Sequence, residues 1–152
     1  MQSKYWSIFF ETSEINKEIT SWNQHQPHMI KINLKLNKKD FCLEGWMDTK
    51  EMLIGVELVC YEKSSKKNFH LLYQQKAEIE REVGFTLEWQ ERPGIRSSYI
   101  RIEQNVESFH ERNWKEQHKW LTEKLKSFHR AFVPFIRKLG YFATDFPLYE
   151  HD

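Results

Sequence analysis

The stretch LIGVELVCYEK, residues 53–63, decides how the rest of the chain is interpreted. It is a run of β-branched and apolar residues, which is typical of a β-strand, but Glu57 stands in its middle. Alternate side chains of a strand point to opposite faces, so Ile54, Val56 and Leu58 share one face and Glu57 lies on the other. A carboxylate in this position must face solvent, pair with a cation, or take part in chemistry.

Other segments of the chain show the same two-residue alternation and are separated by polar turns. Strands are predicted over residues 29–36, 40–47, 52–61, 85–90 and 97–103. Short turns between the first three strands predict an antiparallel meander, and Pro93-Gly94 predicts a hairpin turn between the last two.

Three segments instead repeat apolar residues every three or four positions, which predicts helices over about 5–22, 69–83 and 108–139. The predicted fold is therefore α+β, in the order α-β-β-β-α-β-β-α. We expect a single domain over residues 1–152, in which the helices cover one face of a five-stranded, mainly antiparallel sheet. Residues 140–152 are predicted to form an irregular aromatic tail.

The composition excludes several classes of protein. The 152 residues suit one domain, and 23 basic against 22 acidic residues give a net charge of +1, too small to steer the whole chain to nucleic acid or to a membrane. Two cysteines are too few for a disulfide framework. No apolar run is long enough to span a membrane, and no signal peptide is evident. We therefore expect a cytoplasmic protein without a membrane partner.

The alternation also predicts which residues share the face of Glu57. Pairing of Glu57 with Lys31, Lys35 or Arg101 on a neighbouring strand would account for the carboxylate without any chemistry. The same face carries Trp46 and Tyr99, so stacked aromatic rings and cations could instead bind single-stranded nucleic acid or a partner protein. The candidate binding residues are Lys31, Lys35, Trp46, Glu57, Tyr99 and Arg101.

A metal-dependent nuclease of the restriction-endonuclease-like type is an alternative. Asp48 and Glu57 could hold Mg²⁺ and activate water, but Val59 occupies the position where an E-x-K motif needs lysine. No nucleophile elbow, P-loop or dinucleotide-binding motif is present. We therefore expect no catalytic residue, no metal and no cofactor.

The chain also carries more aromatic side chains than one sheet face readily covers. They are Trp6, Phe10, Trp114, Trp120, Tyr141, Phe142 and Phe146. Because excess apolar surface is normally hidden in an interface, we predict a symmetric homodimer. A self-associating structural domain without a ligand is a second alternative for the function.

Four blocks in this order resemble a known family: IGVELV, FHLLYQQKAEIEREVGFTLEW, SSYIRI and WLTEKLKSFHRAFVPFIRKL. The family is the bacterial domain of unknown function 4268, and the resemblance spans Tyr5 to Leu139. Glu57 matches the glutamate of its GVEL block, and Arg101 matches the basic residue of its final strand. The resemblance implies a bacterial protein associated with DNA processing or defence, without an established activity. We therefore expect a non-enzymatic module that binds nucleic acid or a partner that handles it.

Overall fold

The computed structural model describes residues 2–21, 28–32, 40–61 and 63–139. The helices are α1 (Gln2–Thr12), α2 (Ser65–Tyr73), α3 (Lys76–Val83) and α4 (Trp114–Lys138). The strands are β1 (Ile19–Ser21), β2 (Met29–Ile32), β3 (Phe41–Asp48), β4 (Leu53–Cys60), β5 (Glu88–Gln90) and β6 (Ser98–Asn105). Short 3₁₀ turns cover Asn16–Glu18 and Glu111–Asn113. The tail predicted over 140–152 lies outside the described residues.

The strands form one antiparallel sheet in the order β1-β2-β3-β4-β6-β5. The predicted α+β class and antiparallel sheet are confirmed, and β2 to β6 correspond to the five predicted strands. The short edge strand β1 is an addition. Because α2 and α3 separate β4 from β6 along the chain, the central β4–β6 pair is a long-range contact.

The first helix is shorter than its apolar pattern predicts. It ends at Thr12, whose hydroxyl donates to the carbonyl of Ile8 at 2.7 Å. The Ser13 hydroxyl then accepts the main-chain N–H of Ile15 at 3.2 Å, and this local side-chain bond replaces helical hydrogen bonding. Ile15 still packs against the core, so the three-four spacing persisted beyond the helix that it predicted.

The second predicted helix is divided into α2 and α3 by a break at Gln74 and Gln75. Phe69 and Leu72 are buried before the break, and Ile79 is buried after it. A continuous helix would have aimed Lys76 at the core, whereas its ammonium group lies 5.4 Å from the centre of the Tyr73 ring. The break therefore keeps the apolar residues buried and leaves the lysine half buried.

The helices cover the face of the sheet that carries the apolar alternation. We call this the helix-covered face, and it is formed by Leu43, Gly45, Ile54, Val56, Leu58 and Ile100. Its large residues are at most 1% exposed. A side chain at Gly45 would contact Leu125 of α4, 3.6 Å away, which places α4 directly on the sheet. Cys60 is also buried on this face, and burial raises the pKa of its thiol to about 12.

Helices α1 and α4 meet in an aromatic cluster. The Tyr5 hydroxyl donates to Oε1 of Gln117 at 3.0 Å, and the Tyr5 ring lies 4.4 Å from the ring of His118. Burial lowers the pKa of His118 to about 4, so this imidazole is neutral at physiological pH. His118 is thus a buried core residue on the apolar face of α4.

Two of the residues that suggested a homodimer are used inside the monomer instead. Trp6 and Trp114 are buried in the core, whereas Phe10 is 41% exposed. The homodimer stays a prediction, with less uncovered aromatic surface to support it. Among the described residues, no helix has both the length and the apolar composition needed to cross a membrane.

Candidate binding face of the sheet

The register of the sheet aligns charged residues in one row across the strands. Glu57 of β4 lies between Glu44 of β3 and Arg101 of β6. The row continues to Glu88 of β5, opposite Arg101, and through the main chain to Lys31 of β2, opposite Glu44. Two glutamates therefore stand directly opposite each other at the centre of the sheet, an arrangement that is destabilising unless the charge is compensated.

Arg101 supplies that compensation for Glu57. Its Nε and Nη2 both donate to Oε1 of Glu57, at 2.9 and 2.6 Å. The side chain of Glu57 is 12% exposed and that of Arg101 is 24% exposed, so this ion pair is much less screened than one on the surface. The glutamate in the apolar strand is thus paired with a cation, and of the three suggested partners the structure shows Arg101.

Glu44 is the second neighbour of Glu57 and is 3% exposed. Its Oε2 accepts a hydrogen bond from the Tyr61 hydroxyl at 2.9 Å. Burial raises the pKa of Glu57, Arg101 opposes that rise, and Glu44 adds to it. Burial and Glu44 likewise raise the pKa of Tyr61.

Two aromatic rings hold the Arg101 guanidinium. Its central carbon lies 3.8 Å from the centre of the Tyr99 ring and 5.1 Å from that of Trp46. Trp46 lies flat over Gly55, its partner across the strand pair, where an added Cβ would come within 2.2 Å of the indole. Glycine is therefore required at position 55 for the indole to occupy this place. We call the surface formed by Glu44, Trp46, Glu57, Tyr61, Tyr99 and Arg101 the polar face.

A cavity of about 290 Å³ opens at one end of the polar face. It is lined by His28, Met29, Trp46, Met47, Asp48, Leu53, Glu57, Arg101 and Glu103. Asp48 lies at the turn after β3, where its Oδ1 accepts the main-chain N–H groups of Lys50 and Glu51 at 3.0 and 2.9 Å. Glu103 extends the Arg101 cluster, with 3.8 Å between its Oε2 and Nη1 of Arg101. We call this space the Trp46 cavity.

The residues that line the Trp46 cavity include the two candidate metal ligands, Asp48 and Glu57. One oxygen of each is already hydrogen-bonded. Across the described ranges, no three or more His, Cys, Asp or Glu side chains are grouped so that they could hold a metal ion. Val59, at the expected lysine position, is buried. The Asp48–Glu57 magnesium site of the nuclease alternative stays a prediction.

The structure brings together four of the six candidate binding residues, Trp46, Glu57, Tyr99 and Arg101. Lys31 is paired with Glu44 through its main chain, and Lys35 lies outside the described residues. Glu44 and Tyr61 also belong to this face and were not among the candidate residues. A tryptophan opposite a glycine on the neighbouring strand indicates that the indole can lie over the glycine. Trp46 and Gly55 are such a pair, but the sequence shows this only once the strand register is known.

Comparison with known proteins identifies the family. No curated protein and no solved structure matched the chain in these comparisons. The family model described as domain of unknown function (DUF4268) matches residues 1–136. This match covers nearly the whole chain, including both strands that carry Glu57 and Arg101. The protein therefore belongs to the DUF4268 family.

Proposed function

We propose that this protein is a non-enzymatic binding module whose Trp46 cavity receives a basic side chain from a partner protein. The observation that carries the proposal is the combination of groups around the cavity. Among the described residues that line the cavity, three carboxyl side chains, Asp48, Glu57 and Glu103, accompany one arginine, Arg101, beside the Trp46 indole. The excess of carboxylates favours a cationic ligand.

The Trp46 indole is suited to a cation. Gly55 leaves room for the ring to lie flat, and the ring already contacts the Arg101 guanidinium at 5.1 Å. Cation–π contacts of this kind contribute about 0.5–1 kcal/mol at exposed sites. A cavity of about 290 Å³ lies at the lower end of the ligand-site range and suits one side chain.

Electrostatics favour a protein over nucleic acid at this face. A phosphate group approaching Arg101 would meet Glu57 and Glu103, and the guanidinium is already committed to Glu57. Glu88 adds a further exposed carboxylate beside Tyr99. Binding of single-stranded nucleic acid through Lys31, Lys35, Tyr99 and Arg101 stays a prediction that these carboxylates oppose. A partner that handles DNA, the kind implied by the family resemblance, remains within the proposal.

The test uses fluorescence anisotropy with a labelled ten-residue peptide of alternating arginine and glycine. We expect binding at low salt that weakens about three- to fivefold in Glu103→Gln, because one exposed charge contact contributes up to about 1 kcal/mol. Asp48→Asn should act in the same direction, since an asparagine Oδ1 can keep the turn hydrogen bonds. A peptide of alternating glutamate and glycine should not bind.

Glu88→Gln is the matched control because it removes the same charge from the same sheet outside the cavity. Equal weakening by Glu88→Gln and Glu103→Gln would mean that only the general charge of the surface matters. Failure of the arginine peptide to bind at 20 mM salt would contradict the proposal. Tight binding of a labelled single-stranded 20-mer, lost in Arg101→Ala, would favour the nucleic-acid alternative. Mg²⁺-dependent cleavage lost in Glu57→Ala would favour the nuclease.

A further inference from the structure

A second charged surface surrounds the turn between β5 and β6. It is formed by Lys63, Lys66, Lys67, Arg92 and Arg96, and we call it the basic hairpin surface. Lys63, Lys67 and Arg96 are exposed. Residues 62–70 and 88–98 together contain five lysines and arginines against three acidic residues, Glu62, Glu88 and Glu91. This local excess is hidden by the net charge of +1 for the whole chain.

Hydrogen bonds bring these cations onto one surface. The Lys66 ammonium group donates to the main-chain carbonyls of Arg92 and Ser97, at 2.9 and 3.2 Å, and to the Ser98 hydroxyl at 2.9 Å. It also donates to the carbonyl of Glu91. The start of α2 is therefore fastened to the hairpin turn, and the neighbouring Lys63 and Lys67 lie beside it.

The acidic residue of the hairpin turn, Glu91, contacts a histidine of α2. Oε2 of Glu91 lies 2.9 Å from Nε2 of His70 on α2. This contact is a second connection between α2 and the hairpin and holds the Glu91 carboxylate against α2. The exposed Lys63, Lys67 and Arg96 are the cations of this surface that face solvent.

The turn itself has a defined and costly conformation. Arg92 has φ of +55° and Gly94 has φ of +86°, and the left-handed conformation at arginine costs roughly 1 kcal/mol. The Arg92 guanidinium contacts the Tyr99 ring at 4.9 Å and also donates to the Ser97 hydroxyl. Its direction is thus fixed by the hairpin, and the exposed Arg96 follows Ile95 in the same turn.

We propose that the basic hairpin surface binds the backbone of double-stranded DNA. Charge complementarity supports a polyanion, and two elements at one end of the sheet offer cations to more than one phosphate. A two-stranded hairpin fits the major groove, which is roughly 12 Å wide, while lysines at the start of α2 flank it. Single strands bind through exposed rings, but the nearby Tyr99 ring is contacted by both Arg92 and Arg101.

This surface and the Trp46 cavity occupy successive parts of β6. Ser98, which Lys66 contacts, and Arg101, which lines the cavity, are three residues apart, about 10 Å at roughly 3.3 Å per residue. The Tyr99 ring contacts both Arg92 and Arg101. DNA and a protein partner would therefore lie next to each other along β6.

The test measures anisotropy of a fluorescein-labelled 20-base-pair duplex of mixed sequence while salt is raised from 50 to 200 mM. The double variant Lys63→Ala/Lys67→Ala removes two exposed cations four residues apart. We expect it to weaken binding about tenfold at 50 mM salt and to reduce the slope of log affinity against log salt by roughly 2, since each phosphate contact contributes about 0.9. Arg96→Ala should reduce that slope by roughly 1.

Lys115→Ala/Lys119→Ala is the matched control because it also removes two exposed lysines four residues apart, on α4. It should change the duplex affinity less than twofold, and Glu103→Gln should not weaken it. Equal losses in the two double variants would overturn the proposal. So would failure to bind the duplex at 50 mM salt, or tighter binding of a 20-mer single strand. Binding to vesicles containing phosphatidylserine but not to the duplex would also overturn it.

Discussion

The two faces of β4 are both largely buried, but they are stabilised in different ways. Val56 and Leu58 on the helix-covered face are inaccessible to solvent and pack under the helices. Glu57 on the polar face is only 9% exposed, and Val59, which points to the same side of β4, is 5% exposed. One face depends on apolar contact and the other on a charged row whose members must remain matched.

This difference determines how each face responds to change. Apolar packing on the helix-covered face is non-directional. It does not respond to pH, because no side chain of that face titrates in the ordinary pH range. The polar face depends on the raised pKa of Glu57, on its buried ion pair with Arg101, and on a register that places Glu57 between Glu44 and Arg101. A substitution there acts on its neighbours as well as on the altered residue.

The largest effect is expected on the helix-covered face. Leu58 is fully buried between Leu43 and Ile100 of the adjacent strands. Leu58→Ala should lower the free energy of unfolding by about 4 kcal/mol, because it removes buried methyl groups and leaves a cavity. Urea denaturation at pH 5 and pH 8 should give nearly the same loss. A loss that differs strongly between these pH values would show that the two faces are coupled.

A smaller effect is expected from Arg101→Met on the polar face. Glu44 and Glu57 would then remain buried without their cation, and the loss should be about 3 kcal/mol, the low end for breaking a buried pair. Part of the loss should be recovered in Arg101→Met/Glu57→Leu, which removes both charges. Denaturant unfolding of the two variants gives the comparison. The single variant Glu57→Leu completes the comparison. If the loss in the double variant equals the sum of the losses in Arg101→Met and Glu57→Leu, the ion pair contributes no coupling energy.

The helix-covered face and the polar face also differ in how far the sequence predicts them. The alternation through Ile54, Val56 and Leu58 identifies the buried apolar side, because the period of a strand is a local property. The spacing of Leu121, Leu125 and Phe128 identifies the buried face of α4 in the same way, and all three are buried. Both features depend on the order of residues within one element.

The pairing on the polar face depends on contacts between elements. Lys31, Lys35 and Arg101 were equal candidates for pairing with Glu57, because the sequence alone does not fix the register of the strands. A shift of one residue in register moves every side chain to the other face. Helices α2 and α3 lie between β4 and β6 in the chain, so no local signal fixes Arg101 opposite Glu57. The burial of Glu44 and the contact of Trp46 with Gly55 depend on register in the same way.

The smallest expected effect isolates the contribution of Glu44 to the raised pKa of Glu57. Because the pKa of Glu57 is raised in the folded protein, the folded state holds a proton that the unfolded state has released, and stability falls as pH rises above the ordinary value of 4.5. Glu44→Gln removes the neighbouring charge, while its amide can donate to Glu57 and still accept from Tyr61. Relative to the original protein, the variant should gain stability as the pH rises from 5 to 8, because Glu44 no longer raises the pKa of Glu57. Urea unfolding across this range measures the gain, and Glu103→Gln, an exposed glutamate beside Arg101, should show none of it. A Glu44→Gln variant that is less stable at every pH would mean that the buried carboxyl pair stabilises the sheet more than its charge repulsion destabilises it.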